Sequence, residues 1–230
     1  MRKSYDIIYS LGADCSCAEF MKMCDLRATS GPFDWLNNTD FSTRMQCVLD
    51  DFKDFFNKTD LRPLAPDIAD NFEPVKGYRF YENTRNKFYY FHDFLDDKLF
   101  DDMFPFVLAK YDRRIMRFHK NLAQKRRVLL IWFSRHHNTD DKTVVDLCDR
   151  VCKKYSKTID FLIIEHTDNV RVPIIRQLAP NIMRYNLHAI SKNSDGTLKF
   201  LGRQSAIKEI FSLYKLRTSF LKRVGNILGW

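Results

Sequence analysis

The sequence predicts an α/β protein in which helices flank a mostly parallel sheet, with a helical and aromatic hairpin insertion after the first strand. Two patterns indicate this class. Beyond residue 127, short β-branched and aromatic runs alternate with amphipathic helical segments, an order typical of parallel sheets. Before that point, one buried strand is separated from the alternating units by a long stretch rich in aromatic side chains. The 230 residues are 45% apolar, which suffices for a full core, so we expect a single domain over residues 1–230.

The first strand is expected at residues 5–11 (YDIIYSL), because β-branched and aromatic residues cluster there and Gly12 ends the run. Apolar residues spaced by three and four then predict a helix over residues 15–26, with Asp14 as its N-cap. The insertion is predicted in four parts: a turn at 30–38, a helix at 41–56, a proline-containing loop at 60–77, and a hairpin over 78–94 that turns at 83–86.

The second half begins with the strongest helical pattern, residues 101–122, where one apolar stripe runs between basic side chains. The alternation that predicts the parallel sheet follows it. The expected strands are 128–133, 159–165 and 183–187, and the expected helices are 141–155, 170–178 and 203–221.

Composition excludes several classes of protein. Gly and Pro number only 7 each, which excludes collagen-like and linker-dominated chains. No apolar run approaches the roughly 20 residues of a membrane span. The N-terminus lacks the pattern of a secretory signal, so we predict a cytoplasmic protein whose six cysteines are free thiols.

Charge is divided unevenly along the chain. Residues 1–102 carry 13 Lys and Arg against 19 Asp and Glu, a net charge of −6, whereas residues 103–230 carry 25 against 10, a net charge of +15. The basic half predicts an anionic ligand, although attraction between two solvated faces explains the asymmetry equally well. The basic amphipathic segment Phe211 to Trp230 could make a peripheral membrane contact, but a final helix docked on the core is favoured.

Other partners and cofactors find little support. No aromatic and basic recognition motif indicates a specific nucleic acid. The chain has no GxGxxG or Walker loop, and its Cys and His spacings do not match zinc sites, so we predict no cofactor and no metal. The expected substrate is a small molecule, a peptide or a glycan precursor.

The corner Ser10-Leu11-Gly12-Ala13-Asp14-Cys15 carries the strongest chemical signal. A cysteine in the first turn of a helix has its thiolate stabilised by the helix N-terminus, which predicts a lowered pKa and a nucleophilic sulfur. The same backbone amides could hold an oxyanion, and ligands of open α/β sheets bind at the carboxyl ends of strands. The alternative is a packed thiol, because free cysteine is among the most buried residue types.

Four blocks extend this signal: SLGADC (10–15), LRATSGPFDWL (26–36), YFHDF (90–94) and KYDRRIMRF (110–118). In this order, and over about half the chain, they resemble the bacterial domain-of-unknown-function family labelled putative papain-like cysteine peptidase. The resemblance implies a cysteine nucleophile and a histidine base, which map onto Cys15 and His92. Papain-type enzymes pair a helix-led domain with an antiparallel barrel-like sheet, whereas residues 128–221 predict alternating strands and helices.

His92 is therefore the expected base, and it must meet Cys15 through tertiary structure. Its neighbour Asp93 points to the opposite face of a strand and cannot easily orient it. The third member of the site is expected to be Asp34, with Glu165 or Asp168 as alternatives.

Five further residues are expected to contact substrate. Gly12 and Asp14 lie in the cysteine corner, and Trp35 lies in the PFDW block, where packing in the core is the alternative role. Arg113 and Arg117 share a helix face that could present guanidinium groups to phosphate or carboxylate.

The leading functional hypothesis is a cysteine-dependent hydrolase or acyl transferase, with the label of peptidase implied by the resemblance. A second hypothesis is a transferase or processing protein for surface glycans, whose basic half holds a phosphate-bearing donor or acceptor. A third is a non-catalytic binding module in which Cys15 is only a packed thiol.

Overall fold

The computed structural model describes residues 2–69, 75–194 and 199–217. Its helices in chain order are α1 (Cys15–Met23), α2 (Phe41–Leu49), α3 (Pro66–Ala69), α4 (Phe100–Gln124), α5 (Asp141–Lys154) and α6 (Gln204–Ser212). The strands are β1 (Lys3–Tyr5), β2 (Ile7–Ser10), β3 (Leu36–Asn37), β4 (Leu61–Pro63), β5 (Tyr78–Asn83), β6 (Tyr89–Leu95), β7 (Val128–Ser134), β8 (Asp160–His166), β9 (Ile174–Ala179), β10 (Ile182–Leu187) and β11 (Tyr214–Leu216). None of the helices within these ranges is long and apolar enough to cross a membrane.

A five-stranded sheet in the order β2-β7-β8-β10-β9 forms the centre of the fold. The first four strands are parallel, and only β9 runs antiparallel to its neighbour. Successive side chains of β7 point to opposite faces. Leu130 and Trp132 pack on the side of α4 and α5, whereas Leu129 and Ile131 pack on the side of α1 and α6. The predicted α/β class with helices on both faces of a mostly parallel sheet is confirmed.

The insertion between β2 and β7 forms a second, antiparallel sheet in the order β3-β6-β5-β4. The predicted aromatic hairpin is confirmed as β5 and β6, and the turn between them lies at the expected asparagines. Phenylalanine and tyrosine rings from the insertion pack against α4 in the larger core cluster. The histidine-bearing hairpin is thereby fixed to the same core as the parallel sheet.

Three predicted elements in the first half have different bounds. The first strand is divided at Asp6, whose carboxylate accepts the backbone N–H of Arg127, so that β1 pairs with β11 while β2 pairs with β7. The first helix ends at Met23, short of residue 26. The second ends at Leu49, because the chain enters turns in which Phe52 has a positive φ. The apolar pattern persists to residue 56 because these turns still bury their phenylalanines.

The prediction of a helix over residues 170–178 is wrong. Pro173 would remove a hydrogen bond inside such a helix, and the β-branched pair Ile174 and Ile175 follows it. The segment instead forms β9, which pairs with β10 through a turn at Pro180 and Asn181. The expected loop at 60–77 also contains β4 and α3 in its described part, and residues 70–74 lie outside the described residues.

The last predicted helix, 203–221, ends at Ser212 in the structure. The chain then bonds to β1, where Lys3 donates to the Leu213 carbonyl and Arg217 donates to the Tyr5 carbonyl. In the basic amphipathic segment, Phe211 and Tyr214 are buried. Residues 218–230 lie outside the described residues. The six cysteines are free, as predicted.

Arg44 of α2 is a fully buried cation that ties the insertion to the parallel sheet. Its guanidinium donates to the carbonyls of Ala13, Phe33 and Leu36 and to the hydroxyl of Thr39. The guanidinium carbon lies 5.4 Å from the centroid of the Phe33 ring and 5.1 Å from that of the Phe88 ring. Burial lowers the pKa of Arg44 to about 10, which leaves it charged at neutral pH.

We expect Arg44→Met to lower the free energy of unfolding by about 3 kcal/mol or more, because buried carbonyls that lose their donor cost about 1–3 kcal/mol each. Urea unfolding measures this change. The control is Arg150→Met on the exposed face of α5, which should stay within about 0.5 kcal/mol of the wild type. An Arg44→Met protein as stable as the control would show that the guanidinium is not a structural tether.

Candidate active site

The corner between β2 and α1 presents Cys15 as the first residue of a helix. The pairing of β2 with β7 continues past the strand, since Leu11 donates to the Ile131 carbonyl at 2.7 Å and Ala13 to the Phe133 carbonyl at 3.0 Å. Asp14 caps α1 as predicted, because its carboxylate accepts the Ser16 N–H at 2.8 Å. The sulfur therefore lies at the carboxyl end of a strand in the parallel sheet, where ligands of such folds bind.

His92 of β6 reaches this corner from the antiparallel sheet. Its Nε2 lies 3.9 Å from the Cys15 Sγ, across 77 residues of sequence. The imidazole stands edge to face against Trp35, with ring centroids 5.7 Å apart, and against Tyr78 at 6.2 Å. The fold therefore brings the Cys15 sulfur and the His92 imidazole together, as predicted, and Trp35 packs beside the imidazole.

The predicted lowering of the Cys15 pKa is wrong. Burial raises the pKa of the thiol to about 12, and the negative charge of Asp14 raises it further, against the opposing effects of its own backbone N–H, the Asn37 side chain and Arg135. The side chain is 8% exposed. Loss of hydration therefore outweighs the helix N-terminus, and the sulfur is a protonated thiol in the resting protein.

Burial also acts on the partner of this thiol. It lowers the pKa of His92 below its ordinary value of 6.5, and Lys110 acts in the same direction while Asp93 opposes both. At neutral pH the pair is thus a neutral thiol facing a neutral imidazole. Such an imidazole can accept a proton, whereas an imidazolium could not.

No third residue orients His92 within the described part of the chain. Asp93 points away, as predicted, and its carboxylate binds Lys110 and the hydroxyl of Tyr111 on α4. The choice of Asp34 as third member is contradicted, because this buried carboxylate pairs with Arg27 at 2.8 Å and accepts the Gly31 N–H at 3.1 Å.

The two alternatives for the third member are also engaged elsewhere. Glu165 accepts from the Trp132 indole and pairs with Arg184. Asp168 accepts from His166 instead of His92.

A comparison with protein families covers this part of the chain. The sequence profile of the family described as putative papain-like cysteine peptidase (DUF1796) matches residues 6–169, more than half of the chain. The chain belongs to this family. Comparisons with curated proteins and with solved structures gave no match. Both Cys15 and His92 lie inside the matched residues, as does the whole insertion.

The other residues expected at the site of this family member have mainly structural contacts. Gly12 is required for packing, since a Cβ there would lie 2.2 Å from the Cys17 Cβ. Asp14 pairs with Arg135 at 2.6 Å, and this pair holds the pKa of Asp14 low.

Arg117 donates to the Ser30 carbonyl at 2.7 Å, and Arg113 is an exposed side chain of α4. Of the expected substrate contacts, only Trp35 touches His92.

Two residues with a part in the site were missed by the sequence analysis. Arg44 occupies the apolar stripe of α2 with Phe41, Met45 and Val48, and a charge on such a stripe was the available signal. Asn37 is 7% exposed, and its Nδ2 has no hydrogen-bond partner of regular geometry. No sequence pattern points to Asn37, because its position depends on how β3 pairs with β6.

A second cluster, formed by His166, Asp168 and His188, offers three ligand atoms within 4.8 Å of one another. The Ala189 N–H donates to Nδ1 of His166, which puts the proton of the neutral ring on Nε2, where it faces Asp168 at 3.0 Å. The lone pair that a cation would need at Nε2 is therefore occupied by a proton. These contacts favour a hydrogen-bonded cluster over a metal site.

We expect alkylation of Cys15 by iodoacetamide to accelerate about tenfold with each pH unit between about pH 6 and pH 10, because only the thiolate reacts and its fraction grows as the pH approaches the raised pKa. Peptide mass mapping measures the rate. Cys24 is the internal control, since it is less buried and should be labelled first at each pH. A fast rate that stays level from acidic pH upward would instead indicate a thiolate and imidazolium pair.

Proposed function

We propose that the protein is a cysteine-dependent hydrolase or acyl transferase in which Cys15 is the nucleophile and His92 the general base. The observation that carries the proposal is the 3.9 Å approach of Sγ to Nε2 between residues 77 apart in sequence. Support also comes from the position of the sulfur at a helix N-terminus and from the family description. A peptide bond is the substrate that this description suggests.

The proposed reaction starts from the neutral pair. As the sulfur attacks a carbonyl carbon, the S–H proton moves to Nε2 of His92, the S–C bond forms and the carbonyl oxygen becomes an oxyanion. Collapse of this intermediate breaks the bond to the leaving group, which takes the proton from His92. The product of this half-reaction is a thioester on Cys15.

The second half-reaction regenerates the thiol. His92 accepts a proton from water or from another acceptor, which attacks the thioester carbonyl. When the S–C bond breaks, the sulfur recovers a proton from the imidazolium. The acceptor distinguishes a hydrolase from an acyl transferase, and the partition of the acyl group between water and an added amine measures that choice.

Proton transfer within the resting pair is unfavourable, because the pKa of the thiol lies far above that of the imidazole. The charge separation is therefore expected only when a carbonyl is in place to take up the developing negative charge. This arrangement differs from a preformed ion pair, in which the thiolate exists before substrate arrives. The Trp35 ring beside the imidazole and the burial of the thiol suit such a concerted transfer.

The test uses p-nitrophenyl acetate as a generic acyl donor. We expect the wild type to release p-nitrophenolate with an acetyl group on Cys15, and Cys15→Ser and His92→Gln to lose about 10²–10⁴-fold of this rate, the usual contribution of a nucleophile and base acting together. Intact-mass spectrometry identifies the acyl-enzyme.

Cys24→Ser is the matched control, because it removes a thiol from the C-cap of α1 and should retain the wild-type rate. Circular dichroism shows whether each variant is folded. If Cys15 of the wild type is alkylated at high pH but never acylated, the chain is a binding module and the proposal is wrong.

The acylation rate is also expected to depend on pH through His92. Since burial lowers the pKa of His92, the base is active above that pKa, so the rate should rise with a midpoint below about 6.5 and stay level to about pH 9. Stopped-flow measurement of p-nitrophenolate release provides the profile. A bell-shaped profile with a descending limb near neutral pH would require an imidazolium in the active form, contrary to the neutral pair.

A further inference from the structure

Asn37 is a buried amide that acts on the Cys15 thiol but is not fully satisfied in the resting fold. Its side chain is 7% exposed, and Nδ2 has no hydrogen-bond partner of regular geometry. Buried donors are nearly always paired, because an unpaired one has lost its hydration without compensation. Sulfur is a weak acceptor, so an amide left in this state beside a reactive thiol indicates a stronger acceptor that is present only part of the time.

The Arg44 guanidinium holds the backbone segments of Asn37 and Cys15 together. One nitrogen of the Arg44 guanidinium donates at 3.1 Å both to the Ala13 carbonyl, two residues before the nucleophile, and to the Leu36 carbonyl, directly before Asn37. β3 also pairs with β6, with Asn37 opposite Tyr89, so the amide and His92 belong to neighbouring strands of one sheet. The three side chains of Cys15, Asn37 and His92 are thus held by a common framework.

Asn37 changes the pKa of the Cys15 thiol in the direction expected of a hydrogen-bond donor. Hydrogen bonding by its side chain lowers the pKa of Cys15, and so does the backbone N–H of Cys15 itself. That N–H belongs to the first turn of α1, where backbone donors have no intrahelical acceptor. A side-chain donor and a backbone donor therefore converge where negative charge develops.

We propose that Asn37 is a catalytic residue that donates from Nδ2, together with the Cys15 N–H, to the oxyanion formed when Cys15 attacks a carbonyl. The proposal rests on the proposed function and deepens it. In the first half-reaction the electron pair of the carbonyl π bond moves to oxygen, and these two donors stabilise the resulting charge. When the intermediate collapses, the electron pair returns to form the thioester carbonyl and the strong acceptor of Nδ2 is lost.

The test compares two reactions of the same sulfur. Acylation by p-nitrophenyl acetate passes through an oxyanion, whereas alkylation by iodoacetamide does not. We expect Asn37→Leu, which removes the donor at similar volume, to slow acylation about 10²–10³-fold, the usual effect of deleting one oxyanion donor. Alkylation should slow by at most about tenfold, through a modest rise in the thiol pKa. The ratio of the two rates should therefore fall at least about tenfold.

Two further variants keep the result interpretable if Asn37→Leu folds poorly. Asn37→Asp has the same shape but cannot donate, and it should lose acylation at least as strongly. Asn38→Asp is the matched control, because it places the same charge on the adjacent residue, whose amide instead donates to the Lys87 carbonyl. Its acylation rate should stay near that of the wild type. Thermal unfolding should show little change in Asn37→Leu, since Nδ2 makes no hydrogen bond of regular geometry in the resting protein.

The outcomes separate the two proposals. Equal slowing of acylation and alkylation in both Asn37 variants would show that Asn37 acts only on the thiol. Wild-type rates of both reactions in these variants would show that Asn37 has no role. Either result overturns the oxyanion assignment alone. A wild-type protein that is alkylated but not acylated would overturn the proposed function and this assignment with it.

Discussion

The buried guanidinium of Arg44 is the constraint on which the site depends. Cys15 follows a strand of one sheet, and His92 and Asn37 lie in another, so their meeting requires a link between the two. Arg44 provides it by donating to the carbonyl of Ala13 and to that of Leu36 from a single nitrogen. No carboxylate among the described residues pairs with this cation, which is stabilised by carbonyl dipoles and by the faces of two phenylalanine rings. A cation with so many fixed acceptors specifies one geometry, whereas apolar packing alone would allow several.

The reactivity of Cys15 is decided by a competition between helix geometry and solvation. The first turn of α1 offers N–H groups, and the Asn37 amide adds another, but the side chain is almost fully buried and lies beside the anionic N-cap Asp14. The Asp14 carboxylate stabilises the helix but disfavours a thiolate at Cys15. Arg135 pairs with Asp14 and keeps this carboxylate ionised. A thiol of this kind is protected in the resting protein, and its donors become useful only when the charge moves from sulfur to a carbonyl oxygen.

Local patterns predicted most of the elements and the pair at the centre of the site. Strands β7 and β8, helices α4 and α5 and the aromatic hairpin follow from periodicity, and Cys15 and His92 follow from the family blocks. The failures arose where tertiary contacts override local preference. Asp34 pairs with Arg27 and does not contact His92. The segment around Pro173 forms an edge strand because β10 is available to pair with it. The pKa of Cys15 is set by the burial of its side chain, which the sequence pattern does not reveal. Asn37 could not be found at all, because an asparagine in a turn-rich block gives no sign that its amide is buried beside the cysteine.

The two sheets also explain how a papain-like description can apply to an α/β fold. The parallel sheet positions Cys15 at a strand-to-helix corner, and the antiparallel sheet of the insertion positions His92 and Asn37. A cysteine beside a histidine recurs on unrelated scaffolds, so the α/β fold does not conflict with the description of the family. Because the insertion contributes both His92 and Asn37, it is the part of the chain that makes the surroundings of a packed thiol into a candidate active site. Its attachment through Arg44 is then a condition for chemistry as much as for stability.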